Sequence, residues 1–479
     1  HGIVGHPISI DAPSSVLTTE DMEISHPKGI SLNDLPLSVA LCVHKSFELL
    51  PIGEWPSLLY ISKTMNDTFA LPYLLRTGVA TTSSSKAISR FVPLELHIYR
   101  PESFVALQHW RRSNHFKSLR SATFTLSCEN STRNAQLQLL EALFASYQSS
   151  DAQIDLIRLS LSDYATPINL SLFNRVLASL NHVGCASLFL HSSGEYVVSM
   201  GQDIGIDSGE NSPLRGLKTL DVESSAMFTE AVSPWMLRLL QSSKTLETLN
   251  LSWTGLQRLY WEDILWTIFL PRLFRLYLEG VGMHSLAHFL LRHGSVEELD
   301  LDGLVNDMKP SSPYFALPRL RRVAGEGRSI AAFLQRLASE VFEDISFQGD
   351  SDGGEVTTFD PVAHLSALRL LAEKQTRTIQ RLAIFLPPES VDFLRGEECD
   401  DRPERKLSID LLDIHLQCDG DASDLRSFMD ACRVWFCSFK AIRHVDIRVR
   451  GVLEVGKVDK DRFLLEVTQA RPEIFIKFH

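Results

Sequence analysis

Leu217-Lys-Thr-Leu220-Asp-Val222, Leu246-Glu-Thr-Leu249-Asn-Leu251, Leu273-Phe-Arg-Leu276-Tyr-Leu278 and Val296-Glu-Glu-Leu299-Asp-Leu301 are four copies of one apolar phrase. The last two apolar residues of each copy stand two apart, so they face one side of a short strand, while the first anchors the turn leading in. With the phase set by these four, weaker copies occur at Phe91/Leu94/Leu96, Leu156/Leu159/Leu161, Cys185/Leu188/Leu190, Phe342/Ile345/Phe347, Ile379/Leu382/Ile384, Leu411/Ile414/Leu416 and Ile442/Val445/Ile447. Leu119/Ala122/Phe124 and Leu317/Leu320/Val323 fit loosely. The phrase thus returns about every 22 to 37 residues.

Between the phrases, apolar residues fall at three- and four-residue spacing, as at Leu137 to Phe144, Met236 to Leu240, Ile264 to Phe269, Leu286 to Leu291, Ile330 to Leu337 and Leu365 to Leu371. A strand-plus-helix unit of this size cannot bury its apolar face alone, so neighbouring units must stack. The expected fold class is α/β, a solenoid with a parallel sheet backed by helices. An ordinary α/β domain with Leu-rich strands is the bland alternative.

These phrases resemble the leucine-rich repeat family, whose consensus Leu-x-x-Leu-x-Leu-x-x-Asn matches best from Leu156 to Leu301. The resemblance implies an arc with the strands on its concave side and helices outside, spanning 87–479. The consensus Asn is largely missing, the position two past the last Leu is Trp253 in one repeat and Gly303 in another, and the periods are uneven.

The 479 residues exceed a single compact core, but a solenoid absorbs length by adding repeats. Hydrophobic content of 44% and charged content of 22% are those of a folded, soluble chain. No apolar run reaches membrane-spanning length. A formal net charge of −12 argues against nonspecific binding to nucleic acid or acidic lipid, so the expectation is no nucleic acid and no membrane. The seven cysteines form no Cys-x-x-Cys pair and suit a reducing compartment, cytosol or nucleus, although Asn-x-Ser/Thr triplets occur at Asn66, Asn130, Asn169 and Asn250.

Residues 1–28 are rich in Ser, Pro, Gly and His without a period and are expected to form a flexible tail. A terminal His1 could also suggest a copper centre, but such a centre needs a compact β-sandwich behind it, and the residues after His1 read as a polar tail and then repeats. Residues 29–76 read as three short helices with Pro at each start: Leu35-Pro36, then Val39, Val43, Phe47 and Leu50, then Pro51, Trp55-Pro56-Ser57, Leu58, Leu59, Ile61 and Met65, and finally Pro72-Tyr73-Leu74. Taken alone this is a small helical cap, joined to the repeats by a linker over 77–86, Thr-Gly-Val-Ala-Thr-Thr-Ser-Ser-Ser-Lys.

The order resembles an F-box, through Leu35-Pro36, Leu50-Pro51, the run Ser57 to Asn66 and Pro72-Tyr73-Leu74. It covers about a tenth of the chain and departs from the family at Ser38-Val39-Ala40 and Trp55-Pro56. An F-box ahead of leucine-rich repeats, an arrangement similar in style to divergent fungal F-box-like proteins, implies the substrate-recognition subunit of a Skp–cullin–F-box ubiquitin ligase. The resemblance places Leu35, Pro36, Val39, Leu50, Pro51, Leu58, Leu59 and Ile61 on the Skp-type adaptor, with a cullin beyond it, and gives the protein substrate to the repeats. A repeat scaffold without a ligase link is the alternative.

In such an arc the residues flanking the inward Leu positions face solvent: Thr219, Asp221 and Glu223; Thr248, Asn250 and Ser252; Arg275, Tyr277 and Glu279; Glu298, Asp300 and Asp302. Carboxylates dominate. The expected substrate-binding set is Asp221, Glu223, Asn250, Tyr277, Glu279, Asp300 and Asp302, complementary to a basic partner segment, with Tyr277 as anchor.

Signals for catalysis, cofactors or metals are thin, and the chain reads as a non-enzyme without cofactor. His284, His288 and His293 have metal-capable spacing, but no Glu follows His284 as a zinc protease needs, so solvated or capping roles are expected. Gly325-Glu-Gly327 lacks the third Gly of a dinucleotide loop, having Ile330 instead, and reads as a repeat turn. The polar stretches 348–359 and 396–406 read as mobile loops, and the Asp/Gly run in the first lacks calcium-loop spacing.

Overall fold

The computed structural model describes residues 50–51, 55, 73–74, 76–77 and, over 94–479, all but 111–118, 150–152, 162–167, 193, 195, 199–213, 215, 308–313, 339–341, 349–358, 376, 388–389, 397–402, 419–421 and 452–456. Fourteen strands form one open sheet whose spatial order is its chain order: β1 (Leu94–Ile98), β2 (Leu119–Leu126), β3 (Gln153–Leu161), β4 (Gly184–Ser192), β5 (Thr219–Glu223), β6 (Thr248–Ser252), β7 (Arg275–Glu279), β8 (Glu298–Asp302), β9 (Arg322–Gly325), β10 (Asp344–Phe347), β11 (Ile379–Leu386), β12 (Ser408–Cys418), β13 (Ala441–Gly451) and β14 (Phe475–Phe478). Each pairs in parallel with the next. This is the α/β solenoid that the repeating phrase implies.

Two apolar rows hold the stack together. One runs in register from Leu96 and Ala122 through Leu220, Leu249, Leu276 and Leu299 to Val445 and Ile476. The other runs from Ile98 and Phe124 through Val222, Leu251, Leu278 and Leu301 to Ile447 and Phe478. Leu220, Leu249, Leu276, Val222, Leu251 and Leu278 are fully buried, each worth about 2 kcal/mol of transfer free energy. Along the second row the steps run from 22 residues, Gly325 to Phe347, to 37, Phe347 to Ile384. The unequal steps are taken up by the return segments, while the strands keep register.

The helices behind the sheet follow the three- and four-residue spacing. Leu172, Phe173, Val176, Leu177 and Leu180 are the buried face of Leu170–Leu180, capped by the Asn169 side chain accepting from the Leu172 N–H at 3.1 Å. Asp360 caps Pro361–Lys374 in the same way through the Ala363 N–H, 3.0 Å.

The structure corrects the phase of several weak phrases. Ile157 and Leu159 occupy the two rows on β3, and Leu412 and Ile414 on β12, so the readings at Leu156/Leu159/Leu161 and Leu411/Ile414/Leu416 sit two residues late. On β1 the pair is Leu96 and Ile98, two residues after Leu94/Leu96. On β9 Val323 holds the first row and Gly325 the second, where an apolar residue is expected. Gly325 has φ +145°, and a Cβ there would lie 2.0 Å from the Leu301 carbonyl oxygen, so only glycine fits against β8. The turn reading of Gly325 and Gly327 agrees, since Gly327 opens the helix Gly327–Arg336. β14 carries none of the expected phrases.

Of the N-terminal helical segment, Trp55, Tyr73 and Leu74 are buried in the same core as β1, and Leu50 packs partly buried against it. The Trp55 ring stacks on Tyr73 with centroids 5.7 Å apart, and its Nε1–H donates to the Leu50 carbonyl at 3.3 Å. Thr77, expected to open a linker, is buried; its carbonyl accepts from Ser103 Oγ at 2.9 Å, while 78–86 lie outside the described residues. Residues 1–28 also lie outside them. Within 396–406, expected to be a mobile loop, Pro403–Lys406 form a 3-10 turn whose buried Glu404 accepts from Trp435 Nε1 at 3.0 Å; 349–358 and 397–402 lie outside the described residues.

Candidate functional site

Because side chains alternate along a strand, the residues between the two apolar rows face away from the helices, and parallel register lines them up across the sheet. Asp221, Asn250, Tyr277 and Asp300 form one such row, one residue from each of β5 to β8. Glu223 and Ser252 pair two residues further along, as do Glu279 and Asp302. Thr219, Thr248, Arg275 and Glu298 pair two residues earlier. The expected substrate-facing residues therefore stand side by side on one sheet face. On β5 to β8 it bears six carboxylates, Asp221, Glu223, Glu279, Glu298, Asp300 and Asp302, against one cation, Arg275.

Hydrogen bonds fix much of this face. Asn250 Nδ2 donates to Asp221 Oδ1 at 2.9 Å, Gln348 Nε2 to Asp300 Oδ2 at 3.0 Å, and Tyr277 Oη to Asp302 Oδ2 at 3.4 Å. Glu223 meets His191 Nδ1 at 2.7 Å, and Glu298 takes Arg275 Nε at 2.7 Å, which holds its carboxyl below the usual range. Burial, reinforced by Glu223, pushes the Asp221 carboxyl up to about 6. Burial also raises Asp300, and burial together with Asp302 and Asp300 raises the Tyr277 phenol. A cation arriving here would release stored repulsion. That is the chemical capacity of the face.

Two features were not legible as site features in the sequence. Trp253, at the end of β6, is exposed with φ +52°, where the next two repeats have Gly280 at +68° and Gly303 at +57°. Its backbone N–H donates to the Glu279 carboxylate. A bulky residue held left-handed costs about 1–2 kcal/mol and presents a large ring at the rim of the acidic face. A tryptophan where the next two repeats have glycine was the sequence signal for it.

The second is a ladder of charge. Arg275, Glu298, Arg322, Asp344, Arg381 and Asp413 alternate in sign across β7 to β12, with contacts of 2.7, 3.8, 3.9, 3.5 and 2.6 Å between successive partners. Arg448 on β13 then reaches the same Asp413 oxygen as Arg381, at 3.4 Å, and His415 Nε2 stands 3.4 Å from the other. Burial would raise the Asp413 carboxyl, yet hydrogen bonds from His415 and Arg381 hold it down to about 2. Lining up the strands as a stack would have found this ladder.

The histidines split as their surroundings dictate. His293, at the C-cap of Met283–Arg292, is buried, accepts the Leu270 N–H on Nε2 at 2.9 Å and donates from Nδ1 to the Phe289 carbonyl at 2.7 Å. Both nitrogens are committed to backbone, and burial lowers it to about 4, so it is a neutral staple between repeats. The capping role expected of it is the observed one. His284 and His288, both half-buried on that helix, stand ring to ring with centroids 4.8 Å apart. Among the described residues no group of three or more His, Cys, Asp or Glu could hold a metal ion, and no helix is long and apolar enough to cross a membrane.

For the adaptor-facing set, Leu35, Pro36, Val39, Leu58, Leu59 and Ile61 lie outside the described residues; Leu50 is half-buried against the core and Pro51 is exposed.

No family model matches the chain, and no curated protein does. Among solved structures, the crystal structure of the Rad7 and Elc1 complex in yeast aligns at 15% identity with a TM-score of 0.35, covering 92% of this chain and 98% of that one. At that TM-score the likeness carries no weight, and the solenoid rests on the strand order and register above.

Proposed function

We propose that this chain is a non-enzymatic recognition subunit: the sheet face of the solenoid binds a protein partner through a basic segment, and the F-box-like segment delivers that partner to a Skp-type adaptor and its cullin. The observation that carries the recognition half is the six-to-one excess of carboxylates on β5 to β8, with Asp221 and Asp300 held above their usual range and Trp253 exposed at the end of β6. Arg and Lys side chains satisfy both components, by ion pairing and by stacking on an aromatic face.

The ligase half rests on the F-box resemblance of residues 35–74. A repeat scaffold without a ligase link is favoured by one observation: Leu50, Trp55, Tyr73 and Leu74 pack into the solenoid core, as a structural cap would. Titration of an extended Arg/Lys peptide tests the recognition half. Binding should weaken at least tenfold (about 1.4 kcal/mol) in an Asp221→Lys, Asp302→Lys variant that keeps its circular dichroism. Equal affinity of the two proteins would sink it.

A further inference from the structure

The sheet face changes sign along the stack. On β11 to β14 the cations Arg381, Arg448, Arg450 and Lys477 face the carboxylates Asp413 and Asp446, the reverse of the balance on β5 to β8. At the centre stands Asp413, its side chain only 1% exposed, with Arg381 at 2.6 Å, Arg448 at 3.4 Å and His415 at 3.4 Å. One carboxylate neutralises one cation, so this arrangement leaves guanidinium capacity over. Arg381 is shared with Asp344 at 3.5 Å, whereas Arg448, 45% exposed, ends the ladder with no further carboxylate among the described residues. Arg450, two residues on, is exposed and makes no ion pair among them. Phe385 aligns with His415, and His415 with Arg448, so a ring flanks the cationic pair. A planar fork fixed by a buried carboxylate, with its outer N–H groups turned to solvent, is the usual way a protein grips an oxyanion.

We propose that β11 to β13 form a second subsite on the recognition face, taking an oxyanion side chain, carboxylate or phosphate, of the same partner segment whose basic part lies over β5 to β8. This rests on the reading of the sheet face as the partner surface. From β8 to β13 is five strand steps, about 24 Å at roughly 4.8 Å each, which an extended chain covers in about seven residues. The partner is a segment with a basic and an anionic side chain about that far apart. Asp413 is a positioning residue here; Arg448, Arg450 and His415 make the contact.

The test uses the full chain and labelled peptides that carry an Arg pair and, about seven residues on in either direction, Ser, Glu or phosphoserine. An additional phosphoserine peptide lacks the Arg pair. The Glu or phosphoserine peptide should bind about tenfold more tightly than the Ser peptide, and an Arg448→Gln, Arg450→Gln variant should lose that gain while keeping its affinity for the Ser peptide. Both substituted residues are exposed, so the variant tests contact and not folding. No gain from the anionic group, or a gain that survives the variant, overturns the subsite. If the Ser peptide fails to bind, the basic-segment reading has failed; the Arg-free phosphoserine peptide then reads the subsite alone, and its failure to bind at about 1 mM overturns that too. A single-stranded RNA bound more tightly than any peptide, and released by the variant, assigns the cations to nucleic acid and likewise overturns the proposal.

Discussion

Asp221 shows how one residue can be both fit for binding and costly to the fold. Its carboxyl titrates near 4 in an unfolded chain and at about 6 in the folded one. Between those values the native state holds more protons than the unfolded state, so this residue's contribution falls as pH rises from 4 to 6 and its penalty stays in full above 6. Asp221→Asn keeps an acceptor for Asn250 and should raise stability at neutral pH by about 1 kcal/mol after allowance for solvent screening, flattening that part of the pH profile. Chemical denaturation at pH 4, 6 and 7.5 checks it; equal gains at all three would contradict the titration account. Trp253→Gly should likewise stabilise, by about 1 kcal/mol, because it relieves a left-handed tryptophan, while weakening the partner interaction. A thermal melt beside a peptide titration separates the two effects. Gly325→Ala should do the opposite and cost about 3 kcal/mol or more, since its Cβ would meet the Leu301 carbonyl.

At the scale of the strand, the four phrases from Leu217 to Leu301 gave phase and boundaries directly, because each strand is five residues long with two buried apolar positions. The longer strands β3 and β12, of nine and eleven residues, have apolar residues to spare, and alternation alone cannot say which two belong to the rows. Glycine at 325 removed the cue on β9, and β14, four residues at the end of the stack, offered too little pattern. The acidic residues of the candidate site were legible because they alternate with the leucines; the Arg and Asp ladder was not, because its partners lie 22 to 37 residues apart in the chain. Asp413→Ala strands Arg381 and Arg448 beside a hole and should destabilise by about 3 kcal/mol, whereas Arg443→Ala, on an exposed pair with Asp410, should change stability by less than about 0.5 kcal/mol. Urea midpoints of the two variants compare them; equal losses would show that the ladder is only a surface decoration.

Across the whole molecule, a continuous stack of fourteen strands carries an acidic stretch followed by a cationic one on the face opposite its helices. A stack of this kind contributes reach and register, and the chemistry of recognition resides in which side chains alternate with the leucines. The proposed role has the N-terminal segment link this surface to a ligase, and co-purification of the full chain with a recombinant Skp-type adaptor tests that proposal most directly, comparing wild type with Leu35→Asp, Leu59→Asp. Stoichiometric capture that the double variant loses, with its solenoid still folded, is the predicted result. A well-folded wild-type chain that captures no adaptor would contradict the ligase account and leave a repeat scaffold capped by Leu50, Trp55, Tyr73 and Leu74.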